Sequence, residues 1–242
     1  MTGLGGGGRE VLSGLHLAWV REEDLPPDTR WLSDAEREVL KGLKLDKRRT
    51  DWLLGRWAVR RALASCLAGD TAVGADVWAG DGLGDVSVLA DDDGRPRILG
   101  PAEVLGHTPP AVSLSHSGGL GFSAVGPGPT ALGCDVEVVA PRSDAFVEDY
   151  FTAFEAQAVA LEAPSRRAVA ANLIWSAKES ALKALGEGLR LDTRSVQVDV
   201  AGLAAVDKAW IPLAVTGPGE RVFRGHWRVA DGFVWTVLTG AD

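Results

Sequence analysis

The order of the predicted elements constrains the fold most strongly, because the same succession occurs twice within 242 residues. A strand, two helices and several further strands occupy about 120 residues in each half. This order predicts an α+β protein of two similar halves related by a pseudo-two-fold axis, each with helices packed on a small, mostly antiparallel sheet. The Pro- and Gly-rich stretch at 126–130 gives halves at 1–128 and 129–242. A ligand-binding cleft is expected between them.

Helix and strand positions follow from local signals. Ser33 and Glu36 form a capping-box signature that opens a first helix, and a second helix is predicted at 46–67, before Gly69. Helices are also predicted at 144–162 and 165–185. The predicted strands are 15–20, 75–80, 86–99 with a turn at 92–95, 111–117, 119–126, 131–139, 196–200, 210–215, 221–230 and 232–240.

Charge and cysteine content exclude several classes of protein. The net charge of −8 argues against general nucleic-acid binding, but residues 41–61 contain eight basic and two acidic side chains. This segment indicates either a site for a small phosphorylated ligand or a helix with a solvated charged face. The two cysteines, Cys66 and Cys134, predict neither a disulfide framework nor a zinc site, which favours a reducing cytoplasm. Neither a signal peptide nor a membrane-spanning segment is expected.

The strand at 131–139 carries two carboxylates on one face. Because side chains alternate along a strand, Gly133, Asp135 and Glu137 face one way and the apolar residues at even positions face the other. The two acids lie about 7 Å apart along the strand, close enough for both to reach one hard cation. The alternative is the solvated outer face of an ordinary antiparallel sheet.

A second group of polar residues lies on the helix that ends near residue 185. Trp175, Glu179 and Lys183 are spaced by four residues and therefore share one stripe of the helix. A surface Glu–Lys pair beside a core tryptophan would explain the stripe equally well. Together with Asp135 and Glu137, however, Glu179 supplies a third oxygen ligand, and Lys183 a charge for a phosphate. This combination suits Mg²⁺.

The stretch at 112–119 places Ser115 and His116 at the end of a strand before a Gly-Gly turn. Backbone N–H groups and a histidine at such a turn suit an anion. A single histidine is also compatible with a purely structural role.

Taken together, these segments resemble the 4′-phosphopantetheinyl transferases, specifically the larger, monomeric, two-halved type that activates peptide and polyketide synthetases. The family's G-x-D-x-E stretch is similar to GCDVE at 133–137, and its W-x-x-K-E-x-x-x-K stretch to WSAKESALK at 175–183. Its S-H-S stretch corresponds to 115–117, and its arginine segment to 48–60. GRPRI at 94–98 resembles G-K-P-x-I, with arginine replacing lysine.

The resemblance implies transfer of the phosphopantetheine arm of coenzyme A to a serine of an acyl or peptidyl carrier protein, with release of adenosine 3′,5′-bisphosphate. It further implies that Mg²⁺, or Mn²⁺, is held by Asp135, Glu137 and Glu179. Lys183 and Asp135 then act with Glu179 in catalysis, and Glu179 is the expected base for the serine proton. The remaining residues expected to bind coenzyme A are Arg48, Arg49, Arg56, Arg95, Ser115 and His116.

The pattern leaves some questions open. Either Arg48 or Arg49 is expected near the 3′-phosphate, and Glu179 is expected to act directly or through a water. Two other functions compete with transfer: a non-catalytic module that binds coenzyme A, and a metal-dependent phosphoesterase. The family resemblance favours a monomer in secondary metabolite biosynthesis, without nucleic-acid or membrane partners.

Overall fold

The computed structural model describes residues 7–68, 83–199 and 209–240. The strand predicted at 75–80 and Gly69, the predicted stop signal of the second helix, lie outside these residues. The chain divides into two compact units, which we call the N unit (Leu4–Thr130) and the C unit (Ala131–Asp242). Among the helices of the described residues, none combines the length and apolar character that a membrane crossing requires.

The N unit contains a four-stranded antiparallel sheet and a separate hairpin. The sheet order is β1-β2-β6-β5, and β3 pairs with β4. Its strands are β1 (Gly8–Leu12), β2 (Leu15–Arg21), β3 (Ser87–Ala90), β4 (Pro96–Leu99), β5 (Ala111–Ser117) and β6 (Leu120–Gly126), and its helices are α1 (Asp34–Gly42), α2 (Asp46–Ala68) and α3 (Ala102–Leu105).

The C unit contains a five-stranded antiparallel sheet in the order β7-β11-β10-β9-β8. Its strands are β7 (Leu132–Val138), β8 (Gln197–Val198), β9 (Ile211–Thr216), β10 (Val222–Ala230) and β11 (Phe233–Gly240), and its helices are α4 (Asp144–Tyr150), α5 (Ala153–Leu161) and α6 (Pro164–Leu185). The predicted combination of helices with antiparallel sheets is confirmed. The pseudo-two-fold axis and the cleft remain predictions.

The single helix predicted at 144–162 is wrong, because the chain forms two helices there. Phe151 and Thr152 have extended backbone angles, and the Thr152 hydroxyl accepts a hydrogen bond from the backbone N–H of Glu155. The Glu155 carboxylate in turn accepts from the backbone N–H of Thr152 at 2.8 Å. This capping box starts a new helix inside a stretch whose apolar periodicity continues without a break.

Helix α6 forms the centre of the C unit core. Leu173, Ile174 and Ala177 are buried, and they belong to one cluster with Val234 and Leu238 of β11. Because α6 lies against β7 and β11, the polar residues on its sheet-facing side are positioned by the same packing that builds the core.

A buried glutamate connects three elements of the N unit. Glu36, at the third position of α1, accepts a hydrogen bond from the backbone N–H of Ser33 and another from that of Val88 in β3. Its carboxylate pairs with Arg60 of α2 at 2.5 Å. Arg60 also donates to the backbone carbonyl of Val86, two residues before Val88. Both charged side chains are inaccessible to solvent, and the ion pair therefore fixes the hairpin relative to both helices.

The C unit contains the same arrangement. Glu155, at the third position of α5, accepts a hydrogen bond from the backbone N–H of Val198 in β8 at 2.8 Å. Its carboxylate pairs with Lys178 of α6 at 2.8 Å, again with both side chains inaccessible to solvent. Lys178 donates to the carbonyl of Val196, two residues before Val198. The first lysine of the WSAKESALK stretch is therefore a buried structural residue.

Candidate functional site

Strand β7 and helix α6 approach each other closely because β7 carries a glycine at the contact. A Cβ atom on Gly133 would lie 1.8 Å from the carbonyl oxygen of Ser180. Thr236 of β11, the cross-strand partner of Asp135, forms hydroxyl contacts of 2.8 and 2.7 Å with Ser176 and Ser180. Gly133 and Asp135 share one face of β7, as the alternation of side chains predicts, and this face packs on α6.

Lys183 joins the carboxylates of the strand and the helix. Its Nζ atom lies 2.7 Å from Oδ1 of Asp135 and 3.5 Å from Oε2 of Glu179, and it donates to the backbone carbonyl of Cys134 at 3.1 Å. Burial lowers the pKa of Lys183, but Asp135 and Glu179 outweigh this effect and raise that pKa above its ordinary value. Lys183 is therefore a fixed positive charge between two carboxylates.

Glu179 has an unusual affinity for protons. Its burial, and then the negative charge of Asp135, raise the pKa of Glu179 from 4.5 to about 7, with a further contribution from Glu137 and an opposing one from Lys183. A carboxyl group with a pKa near neutral pH is well matched to accepting and returning a proton. The role of Glu179 as the base remains a prediction.

The raised pKa of Glu179 predicts a pH-dependent contribution to stability. The folded state binds the proton more tightly than the unfolded state, so this contribution is fully present below pH 4.5 and is lost as the pH rises through 7. The free energy of unfolding of wild type should therefore fall as the pH rises from 5 to 8, and that of Glu179→Gln should not show this loss. The difference between the two proteins should change by on the order of 2 kcal/mol over this range, in favour of Glu179→Gln. Urea unfolding in chelator at several pH values measures this difference, and parallel profiles for the two proteins would contradict it.

Glu137 is held by two side chains. Trp175 Nε1 donates to its Oε1 at 2.9 Å, and Arg142 Nη2 lies 3.2 Å from its Oε2. Trp175 is therefore more than core filling, because its indole N–H orients an acid of the strand. Asp135, Glu137, Glu179 and Lys183 thus lie in one region of the C unit, but their contacts differ.

The chemical type of the donors, carboxylate oxygens, suits a hard divalent cation. Asp135 and Glu179 offer carboxylate oxygens, and the ammonium group of Lys183 shows that positive charge is favourable between them. Both oxygens of Glu137 already have other partners. Across residues 7–68, 83–199 and 209–240, no three His, Cys, Asp or Glu side chains are placed to hold a metal ion. Two carboxylates thus converge, and the three-ligand set remains a prediction.

The N unit contains a basic pocket of about 370 Å³. It lies where the start of α2 meets the end of β5. Its lining residues are Leu45, Lys47, Arg48, Asp51, Trp52, Arg56, Leu114 and His116. Three of the residues that sequence reasoning assigned to coenzyme A, namely Arg48, Arg56 and His116, are therefore together.

The arginines of the basic pocket favour an anion. The guanidinium of Arg56 lies 4.3 Å from the ring centroid of Trp52. Burial lowers the pKa of Arg56 to about 10, with Glu36 opposing the shift, so Arg56 stays charged at neutral pH. Its Nε–H group is buried and has no acceptor within the described part of the chain. Such a donor is suited to a phosphate oxygen.

Three other predicted residues lie outside the lining of this pocket. Arg49 donates to the carbonyls of Leu40 and Leu43 at 2.8 and 3.1 Å, where it caps the end of α1. Arg95 lies in the turn between β3 and β4 and is 4.0 Å from Asp93. Ser115 is buried, and its side chain alternates with that of His116 along β5.

Sequence reasoning missed Trp52 and Arg142. The spacing of four from Arg48 through Trp52 to Arg56 places all three on one stripe of α2, and this signal was present in the sequence. Arg142 lies in an irregular segment after β7, where periodicity gives no guidance. Its contact with Glu137 depends on how the chain returns toward α6.

The carboxylate site lies within a stretch of sequence that matches the model of a known protein family. Residues 131–225 match the sequence model of the 4′-phosphopantetheinyl transferase superfamily. This stretch contains β7 and α6, and therefore Asp135, Glu137, Glu179 and Lys183. We found no curated protein whose sequence matches the chain.

Two solved structures show limited similarity to the chain. One is a holo-(acyl-carrier-protein) synthase from Bacillus anthracis str. Ames in complex with CoA (3′,5′-ADP), with 26% identity over 46% of this chain and 92% of that chain, and a TM-score of 0.37. The other is the holo-[acyl-carrier-protein] synthase of Thermotoga maritima, with 18% identity over 57% and 74% of the two chains and a TM-score of 0.33. Both TM-scores are too low to establish a common overall fold.

Proposed function

We propose that the protein is a Mg²⁺-dependent 4′-phosphopantetheinyl transferase. It moves the phosphopantetheine arm of coenzyme A to a serine of an apo acyl or peptidyl carrier protein and releases adenosine 3′,5′-bisphosphate. The observation that carries the proposal is the convergence of Asp135 and Glu179 on Lys183, within the stretch that matches the transferase superfamily. The basic pocket of the N unit supports it as a second, independent feature.

The proposed roles follow from charge and burial. Glu179 accepts the proton of the carrier serine, directly or through a water, as that hydroxyl attacks the β-phosphorus of the pyrophosphate and the bond from this phosphorus to the leaving phosphate breaks. Lys183 stabilises the negative charge that develops on the leaving phosphate. Asp135 and Glu179, with Glu137 beside them, would hold Mg²⁺ or Mn²⁺, which supplies further positive charge for the pyrophosphate.

The basic pocket is the proposed site for the nucleotide end of coenzyme A. Arg48, Arg56 and His116 supply charge and hydrogen-bond donors for the 3′-phosphate, and Trp52 supplies an aromatic surface for the base. Because Arg49 is engaged with the end of α1, we assign the phosphate contact to Arg48.

This assignment predicts different effects for two adjacent arginines. Arg48→Ala should raise the KM for coenzyme A by about tenfold or more, because a charge-assisted hydrogen bond to phosphate is lost. Arg49→Ala should instead lower the Tm and leave the KM within about threefold, because it uncaps two carbonyls. Steady-state kinetics and thermal unfolding of both variants measure the contrast, and the reverse pattern would show that Arg49 is the ligand.

The repeated ion pair supports the expectation of two similar halves. In each unit a buried glutamate of a capping box pairs with a cation on the longest helix and accepts from the backbone of a following strand. We propose on this basis that the units are copies of one ancestral half and that the protein acts as a monomer.

Incubation with coenzyme A and Mg²⁺, with and without a panel of apo carrier domains, tests the function directly. Transfer gives each modified carrier the mass of one phosphopantetheine arm and releases one adenosine 3′,5′-bisphosphate. Hydrolysis of coenzyme A without any carrier would identify a phosphoesterase instead. Binding of coenzyme A without reaction in either arm would identify a non-catalytic module.

A further inference from the structure

Arg142 is fixed in place on three sides. Its Nε donates to Oδ1 of Asn172 at 2.8 Å, its Nη2 lies 3.2 Å from Oε2 of Glu137, and its guanidinium carbon lies 4.7 Å from the ring centroid of Phe146. An arginine with a stacked face and two directed N–H groups has little freedom to rotate.

Asn172 provides a rigid anchor for this arginine. It is fully buried on α6, and its amide donates to the carbonyls of Ala140 and Ala168 at 2.6 and 2.7 Å. These bonds tie the segment after β7 to the helix that carries Glu179. The orientation of Arg142 is therefore determined by the same packing that positions the carboxylate site.

The contacts of Glu137 indicate how Arg142 affects the charge of the carboxylate site. One carboxylate oxygen accepts from Trp175 and the other pairs with Arg142, so both oxygens are fixed. Glu137 shares a face of β7 with Asp135, and its negative charge is felt at Glu179. A permanent positive charge 3.2 Å from Glu137 must reduce the negative potential that Asp135 and Glu179 present to a cation.

We propose that Arg142 is a positioning residue that fixes Glu137 and, by neutralising part of its charge, weakens the binding of a divalent cation at Asp135 and Glu179. This inference rests on the proposed function, because it takes those two carboxylates to be cation ligands. The site therefore binds the ion less tightly than it would without Arg142, while its acidic side chains keep a fixed arrangement.

Titration with Mn²⁺, followed by the electron paramagnetic resonance signal of the free ion, tests the inference without any turnover. Arg142→Met should bind Mn²⁺ about three- to tenfold more tightly than wild type at low salt, because Glu137 no longer shares its charge with a guanidinium. Its kcat should nevertheless fall, because Glu137 is no longer fixed. Arg142→Lys should restore the wild-type Mn²⁺ affinity, because it keeps the charge.

Arg194→Met is the matched control. It removes one positive charge from the same unit, where Arg194 pairs with the exposed Asp192, and it should leave Mn²⁺ affinity unchanged. Should Arg142→Met fail to fold by circular dichroism, Arg142→Gln removes the same charge and keeps a polar group for Asn172.

The outcomes separate this inference from the proposed function. If wild type binds Mn²⁺ and the neutral Arg142 variants bind it no more tightly than Arg194→Met does, only the role of Arg142 is overturned. Tighter binding by Arg142→Lys as well would also overturn it, because charge would not be the cause. Absence of Mn²⁺ binding by wild type would overturn both the proposed cation site and this inference.

Discussion

Replacement of Gly133 by alanine should lower the free energy of unfolding by more than about 3 kcal/mol. The added methyl group would lie 1.8 Å from the carbonyl oxygen of Ser180 and 2.9 Å from the backbone nitrogen of Ala184. Both atoms belong to the backbone of α6, so no side-chain rotation relieves the overlap. The helix must move away from β7, and this opens the core of the C unit. Urea unfolding followed by circular dichroism measures the loss.

Gly42→Ala is the control for this change. Gly42 ends α1 with no atom within 4 Å of its hypothetical Cβ. Alanine there should leave stability unchanged or raise it by up to about 1 kcal/mol, because it restricts the unfolded chain. Equal stability of the Gly133→Ala and Gly42→Ala proteins would show that the approach of α6 to β7 is looser than the structure indicates.

The contact at Gly133 explains why the strand pattern begins with glycine. Because α6 approaches β7 at this glycine, the next residue on the same face, Asp135, meets Lys183 one helical turn beyond Ser180. A bulkier residue would hold the helix away and separate the two charged groups. The glycine is therefore a requirement of the site as well as of the fold.

Periodicity was sufficient to predict the main features of the carboxylate site. The alternation along β7 placed Gly133, Asp135 and Glu137 on one face, and the spacing of four placed Glu179 and Lys183 on one stripe of α6. Both signals are local, because each depends only on the geometry of a single element. The structure shows that these two faces meet.

The roles of Lys178 and Glu155 could not be predicted in this way. Lys178 is adjacent to Glu179 in sequence, and a lysine is usually exposed. Its burial depends on a glutamate 23 positions earlier and on carbonyls from the segment before β8. The choice between Arg48 and Arg49 has the same origin. Adjacent residues point about 100° apart on a helix, and the place of α1 decides which one faces the pocket.

The acidic side chains that are close together at this site lower the stability of the folded protein. Because it is largely buried, and because Asp135 and Glu137 are near it, Glu179 loses its proton less readily than an exposed glutamate. The ion pair with Lys183 offsets only part of this penalty, because the pKa of Glu179 still rises to about 7. Stability alone would favour glutamine at position 179, and the proposed catalytic role gives a reason for the glutamate.

Glu179→Gln should therefore reduce kcat for carrier modification by about a thousandfold or more, while the protein is no less stable than wild type at pH 8. Glutamine has nearly the same shape but neither accepts a proton nor carries the charge that binds a cation. Mass spectrometry of the carrier gives the rate, and urea unfolding gives the stability. Glu38→Gln makes the same substitution at an exposed position of α1 and should leave the rate unchanged. Near-wild-type turnover by Glu179→Gln would exclude Glu179 as the base, and a rate loss that parallels a loss of stability would reduce its role to folding.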